Sequence, residues 1–271
     1  MPSQATILAN AIELSLAFIG LFVLWRLVLS PAARTDRSIA TAPVWEGPIS
    51  DFLLFLWLLI TGGILGQFVA AALFRPLGLS SDGQLIFGNA AFELGMLGGI
   101  ALYRLGLRHE SWGTFAPAKA LVSGLATFLI AVPLVDLTGL AWQYLMTLAG
   151  LPVERQDMIG RLVNAESHTL LFCMILLACV TAPIAEEMIF RAGIFRYART
   201  RLPRWAALLV PACLFAALHQ NLASFAQLAV LGVVFSLAYE RTGRIGTAIV
   251  AHGLFNAHTA LLVLLDPSSA N

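Results

Sequence analysis

Charge is what this sequence has least of. Asp, Glu, Lys and Arg make up 11% of its 271 residues, where a soluble domain carries about 25%. Hydrophobic residues reach 59% and mean hydropathy is +0.85. That balance excludes an ordinary water-soluble globule and predicts an all-α, polytopic transmembrane helical bundle. A net charge of +1 without a basic tail argues against a nucleic-acid partner. Cysteine is scarce as well. Cys173, Cys179 and Cys213 are odd in number and lie in apolar stretches, which reads as buried thiols and not as a disulfide framework. Nor is there an HExxH zinc motif, a serine-centred elbow or a glycine-rich phosphate loop. No basic region precedes the apolar run Ile7–Leu29, so it is expected to be a permanent span and not a cleaved signal.

What is there is a series of long apolar runs. A bilayer core about 30 Å thick takes roughly 20 helical residues per crossing. On that ruler about eight spans are expected, at 7–29, 50–74, 86–105, 119–149, 168–195, 204–219, 222–239 and 244–265. The sixth and seventh are short enough to be tilted or partly re-entrant. The organisation expected is one integrated bundle, with N-terminal spans and loops over 1–167 and a C-terminal membrane core over 168–266. Placing alternate loops on the cytoplasmic side collects Arg26, Arg34, Arg37, Arg104, Arg108, Lys119, Arg191, Arg196, Arg199, Arg201, Arg204, Arg241 and Arg244 there. Only Arg75, Arg155 and Arg161 fall opposite, the bias that the positive-inside rule describes, and both termini are then outside. Arg196, Arg199, Arg201 and Arg204 are expected to set this topology and meet lipid headgroups. Ser30–Pro48 reads as a surface linker, Leu151–Ser167 as an amphipathic or loop segment, and the glycine pairs Gly62-Gly63 and Gly98-Gly99 as helix-packing sites.

Charges inside spans are the informative exceptions, since each is disfavoured by roughly 2.5–3.5 kcal/mol on insertion scales. Glu13 lies near a membrane edge, where snorkelling suffices. Glu93 and Asp136 sit mid-span and read as supporting partners or as acids hydrogen-bonded between helices. His109, His168 and His258 are expected to lie off any site. The stretch Glu186-Glu187-Met188-Ile189-Phe190-Arg191 is different. It begins three residues after Pro183, which can free a helix carbonyl. Glu187 and Arg191 are spaced i,i+4 and can pair, a structural role. Phe215 with His219, and His252 with Asn256, repeat that spacing. Counted along their helices, Glu186 lies roughly 20 Å from Thr200, His219 about 22 Å from Arg204 and Asn256 about 18 Å from Arg244. The polar groups can therefore meet at similar depth.

A shielded carboxylate can take and return a proton, an imidazole can help it orient a water, and a second His with an Asn amide can donate to an oxyanion. That set suits amide hydrolysis. Glu186, His219 and His252 are equally a possible zinc-ligand set, with Glu187 or a water completing it. EEMIFR at 186–191, FAALH at 215–219 and HGLFN at 252–256 resemble, in order and interval, the three motifs of the CPBP family of CAAX prenyl endopeptidases and their bacterial relatives. The resemblance covers about residues 168–262. It implies an intramembrane endopeptidase of the glutamate type, often classed with metalloproteases. In it Glu186 activates water with His219 as partner, His252 and Asn256 hold the oxyanion, and Glu187, Arg191 and Phe215 are supporting motif residues. No cofactor is required on that mechanism; the alternative uses a divalent metal, zinc. The partners implied are the lipid bilayer and a membrane-associated protein or peptide substrate. The setting expected is a bacterial or archaeal plasma membrane, with the site open to the cytoplasm. Two further readings stand beside it: a non-enzymatic immunity or scaffold protein, and a proton-coupled transporter using Glu93, Asp136 and Glu186. The transporter reading lacks the internal repeat such proteins show.

Overall fold

A computed structural model describes residues 3–35, 42–108, 116–154, 157–165 and 167–265. Eight long helices follow one another: α1 Gln4–Leu29, α2 Ile49–Leu77, α3 Ser81–Gly106, α4 Pro117–Leu148, α5 His168–Arg199, α6 Arg204–Leu218, α7 Leu222–Thr242 and α8 Ile245–Leu265. Among the described residues there is no strand. All but α6 are long and apolar enough to cross a bilayer. The chain is an all-α polytopic bundle and an integral membrane protein.

Helix starts follow from local chemistry. Ser3, Ser80, Ser167 and Asn221 accept hydrogen bonds from first-turn amides of α1, α3, α5 and α7, satisfying donors a helix leaves orphaned. Gly243, at φ 64°, closes α7 in the left-handed conformation. With 15 residues, α6 reaches only about 22 Å. It pairs with α7 as a hairpin, because Arg204 at its start meets Glu240 near the end of α7 at 2.8 Å. At the other end, His219 and Gln220 make the turn.

Small residues let the helices approach. A Cβ on Gly62 would lie 2.2 Å from the Gly95 carbonyl oxygen, and one on Gly99 would lie 2.2 Å from that of Leu58, so α2 and α3 touch backbone to backbone. Gly63 faces the Phe92 ring, but Gly98 faces open space and is not a packing site. Among the described residues, three of four buried apolar clusters join the helices across the interior. One joins α2 and α3 to α5 and α6 through Phe55, Ile100, Ile189, Phe190 and Phe215. A second joins α4 to α7 and α8 through Phe128, Val132, Leu231 and Phe235. The third joins α3 and α5 to α8 through Ile86, Met174, Leu177 and Val263.

Several expectations need correction. The linker after α1 is not a surface segment throughout, since Trp45 is buried against Phe55 and stacks on Tyr103. The arginines after the motif hold that linker. Arg196 donates to the Pro43 and Val44 carbonyls, Arg199 to Ala42 and Arg201 to Gly47. Arg199 and Arg204 also pair with Glu240. They therefore have a tertiary role beside any in topology, because α5 continues to Arg199 and carries them against the linker. Glu13 and His258 are not idle either. They pair at 3.0 Å between α1 and α8, and Glu13 hydrogen-bonds Asp136 of α4. Cys213 is exposed and not buried, while Cys173 and Cys179 are partly buried; all three are free thiols. Within Leu151–Ser167 a short helix, Asp157–Val163, is formed, and Arg161 pairs with Asp82. Arg37, His109, Arg155 and Glu166 lie outside the described residues.

Candidate active site

The site grows from a fault in α5. Pro183 has no amide hydrogen, so the Cys179 carbonyl lacks its helical donor. The preceding turn, Leu177–Thr181, is wound as a π-helix, a feature frequent at functional sites. The α8 helix docks on this widened turn. A Cβ on Gly253 would lie 2.6 Å from the Cys179 oxygen, and Asn256 Nδ2 donates to the Ala178 oxygen at 2.7 Å. That docking sets the rotation of α8 and presents His252 to α5.

His252 then bridges the two adjacent acids. Its Nδ1 lies 2.8 Å from Glu187 Oε1 and its Nε2 lies 3.6 Å from Glu186 Oε2. Glu187 also receives Arg191 Nη1 at 2.8 Å, with both side chains fully buried. The i,i+4 pair foreseen from spacing is therefore real. Arg191 is caged as well as paired: it donates to the Gly232 oxygen at 3.1 Å, and its guanidinium lies over Phe215 and Phe235, 4.8 and 5.4 Å from the ring centroids. Cation–π contact in such desolvated settings contributes about 2 kcal/mol. A Cβ on Gly232 would lie 2.9 Å from that of Ala212 and 3.3 Å from Arg191 Nη2, so the guanidinium occupies space that glycine leaves.

Phe215 connects the two histidines. Its ring lies 4.8 Å from that of His219 and 5.8 Å from that of His252, and its carbonyl is 2.8 Å from His219 Nδ1. A carbonyl only accepts, so Nδ1 carries the hydrogen, and Nε2 of a neutral ring is left as an acceptor. Where Nδ1–H donates to Glu187, Nε2 of His252 is the nitrogen facing Glu186, and it can donate only when the ring carries both protons. A carboxylate holding the far nitrogen of an imidazole fixes its tautomer and orientation.

Of the residues singled out in sequence, Glu186, Glu187, Arg191, Phe215 and His252 are thus brought together. His219 joins them through Phe215, and Asn256 through α5 backbone. Among the described residues no hydrogen bond or ion pair links Glu186 to His219 or Asn256. The Glu186 side chain keeps 27% exposure, so the acid is reachable. Phe235 and Gly232 were not foreseen; α7 carries no polar motif, and only the unexplained glycine in its middle hinted at a close neighbour. As a zinc site the residues do not fit. Among the described residues no three His, Cys, Asp or Glu side chains converge as metal ligands, and both His252 nitrogens face carboxylates.

Comparison with known proteins places this geometry in context. Residues 168–258 match the family described as type II CAAX prenyl endopeptidase Rce1-like. The "Putative membrane peptidase YdiL" of Bacillus subtilis (strain 168) is 31% identical over 91 residues, which are 34% of this chain and 37% of that relative. The similarity thus spans about a third of either protein. No solved structure matches.

Proposed function

We propose that this protein, whose residues 168–258 match the type II CAAX prenyl endopeptidase Rce1-like family, is an intramembrane endopeptidase acting on a membrane-associated protein or peptide. The observation that supports it most is the His252 ring set between Glu186 and Glu187, on the helix turn that Pro183 opens. Glu186 is the base. It takes a proton from a water whose oxygen attacks the scissile carbonyl carbon, and it returns that proton to the amide nitrogen as the C–N bond breaks. His219 Nε2 accepts the water's other hydrogen bond and so orients it. The oxyanion receives hydrogen bonds from Asn256, whose Nδ2 has a second hydrogen beyond the one given to Ala178, and from His252 Nε2 when the ring carries both protons. Glu187 and Arg191 hold the ring and do not react.

On this mechanism no metal is needed, and none of the steps uses one. The basic residues clustered where α5 ends and α6 begins favour an orientation with that end in the cytoplasm of a prokaryotic plasma membrane. Prenylated CAAX proteins are one candidate substrate class and other membrane-anchored peptides are another.

The test is cleavage by purified protein in lipid nanodiscs. The substrates are membrane-anchored fluorogenic peptides, one set prenylated at a CAAX end and one set with a single hydrophobic anchor. Wild type is expected to cleave in the presence of chelator. Glu186→Gln is expected to lose about 10²–10⁴-fold in rate, the usual contribution of an acid–base group, and His219→Ala to be similarly impaired. Full cleavage by both variants, correctly folded, would end the enzyme reading. Activity that disappears on complete metal removal and returns with zinc would restore the metal alternative.

A further inference from the structure

Glu93 takes no part in the mechanism above, yet it is the acid in the face that α3 turns toward α5. Ile86, Ala90, Leu97 and Ile100 recur along that face at helical spacing. Ile86 and Ala90 pack with Met174 and Leu177, whereas Leu97 and Ile100 pack with Ile189 and Phe190. Glu93 falls between those two layers. It meets α5 between Leu177 and Ile189, where Thr181 and Glu186 lie; its side chain hydrogen-bonds Thr181 and lies near Glu186. Oε2 of Glu93 and Oε2 of Glu186 are each shut away from solvent without a hydrogen-bond partner.

Two ionised carboxylates only accept, so neither can satisfy the other. One proton held between them, directly or through one water, satisfies both. It also removes one of two like charges from a site walled by apolar helices. We propose that Glu93 is a positioning residue for Glu186: its carboxyl donates to the base across the α3–α5 interface and keeps it aimed at His252 and the attacking water. The inference rests on the reading of Glu186 as water activator. It assigns the N-terminal half, which lies outside the segment similar to known peptidases, a part in the reaction.

The test combines kinetics with a measurement independent of turnover. On the membrane-anchored peptides, Glu93→Leu should lower kcat by about tenfold or more with KM within about twofold, as expected when a reacting group is misplaced and not when binding is lost. Glu93→Gln, whose amide can still donate, should recover most of that rate. In infrared difference spectra the wild type should show a protonated-carboxyl carbonyl band that Glu93→Gln removes and Glu186→Gln shifts. A Glu93→Leu rate equal to wild type, a Glu93→Gln rate no better than Glu93→Leu, or a carboxyl band untouched by Glu186→Gln would each overturn the proposal. Should Glu186→Gln cleave at the wild-type rate, the reading of Glu186 fails, and the infrared bands alone then decide whether the two acids share a proton.

Discussion

At 2.8 Å from both Arg191 Nη1 and His252 Nδ1, a single oxygen of Glu187 collects two donors that would otherwise be stranded in a buried layer. Removing one partner of a buried ion pair is strongly destabilising, by about 3–5 kcal/mol, because the other charge is left uncompensated. Arg191→Met should therefore lower unfolding free energy in detergent by about that much. The double variant Glu187→Leu with Arg191→Met should regain part of it, since the stranded charge is gone. Glu186 makes a contrast. It makes no ion pair as short as those of Glu187, its approach to His252 being 3.6 Å, and Glu186→Gln, which keeps shape and hydrogen-bonding capacity, is expected to unfold within about 1 kcal/mol of wild type. Equal destabilisation by the two adjacent substitutions would contradict the division between holding and reacting. The i,i+4 spacing made the Glu187–Arg191 pair legible in sequence. The third member, His252, was not legible as Glu187's partner, because it arrives from a helix 65 residues away.

Helix α5 works through its irregularities. With Pro183 in place, the Leu177–Thr181 turn is π-wound and the Ala178 and Cys179 oxygens face α8. Pro183→Ala would supply the missing amide and favour a regular α-turn, which withdraws those oxygens. The expected outcome is a folded protein of unchanged helical content by circular dichroism whose cleavage rate falls about tenfold or more, a misplaced catalytic geometry. Gly253→Val should do the same more severely, since its Cβ alone would sit 2.6 Å from the Cys179 oxygen. If Pro183→Ala cleaves like wild type, the π-turn is incidental to the site. A second proline is used alike: Pro133 leaves the Leu129 oxygen without its donor, and Gly20 of α1 comes so close that a Cβ there would lie 2.0 Å from it.

For the molecule as a whole, α1 is the least embraced of the spans, with 6% of its apolar window buried. Two features stand out where it meets the bundle: the Gly20 approach to α4 and the polar cluster of Glu13, Asp136 and His258. Gly20→Leu should separate α1 from α4, read as loss of cross-linking between cysteines introduced at lipid-side positions of the two helices. Cross-linking that persists would show that the polar cluster alone suffices. At the opposite end, the arginines of α5 bind the linker's carbonyls around Trp45, tying the first loop to the helix that carries the acids. Trp45→Ala should cost about 3–5 kcal/mol, the range for a buried aromatic truncated to alanine.

Read alone, the sequence determined that helices cross a bilayer and roughly where each begins and ends, and it singled out the candidate site residues. Long uncharged runs have few alternatives in lipid, where backbone groups must be satisfied within a helix, and Glu186, His219, His252 and Asn256 stand out against an apolar background. Tertiary structure alone decided which way each helix is turned. In a soluble protein the polar face marks the outside, but lipid is as apolar as the interior, so the pattern along α3, α7 or α8 does not say which face is buried. Facing was set instead by backbone details with no polar signature: a carbonyl freed by proline, a glycine opposite it, and an arginine seated where Gly232 has no side chain. Those details turn Glu186 toward His252, bring Glu93 to the same interface, and leave Glu187 as the anchor of the site.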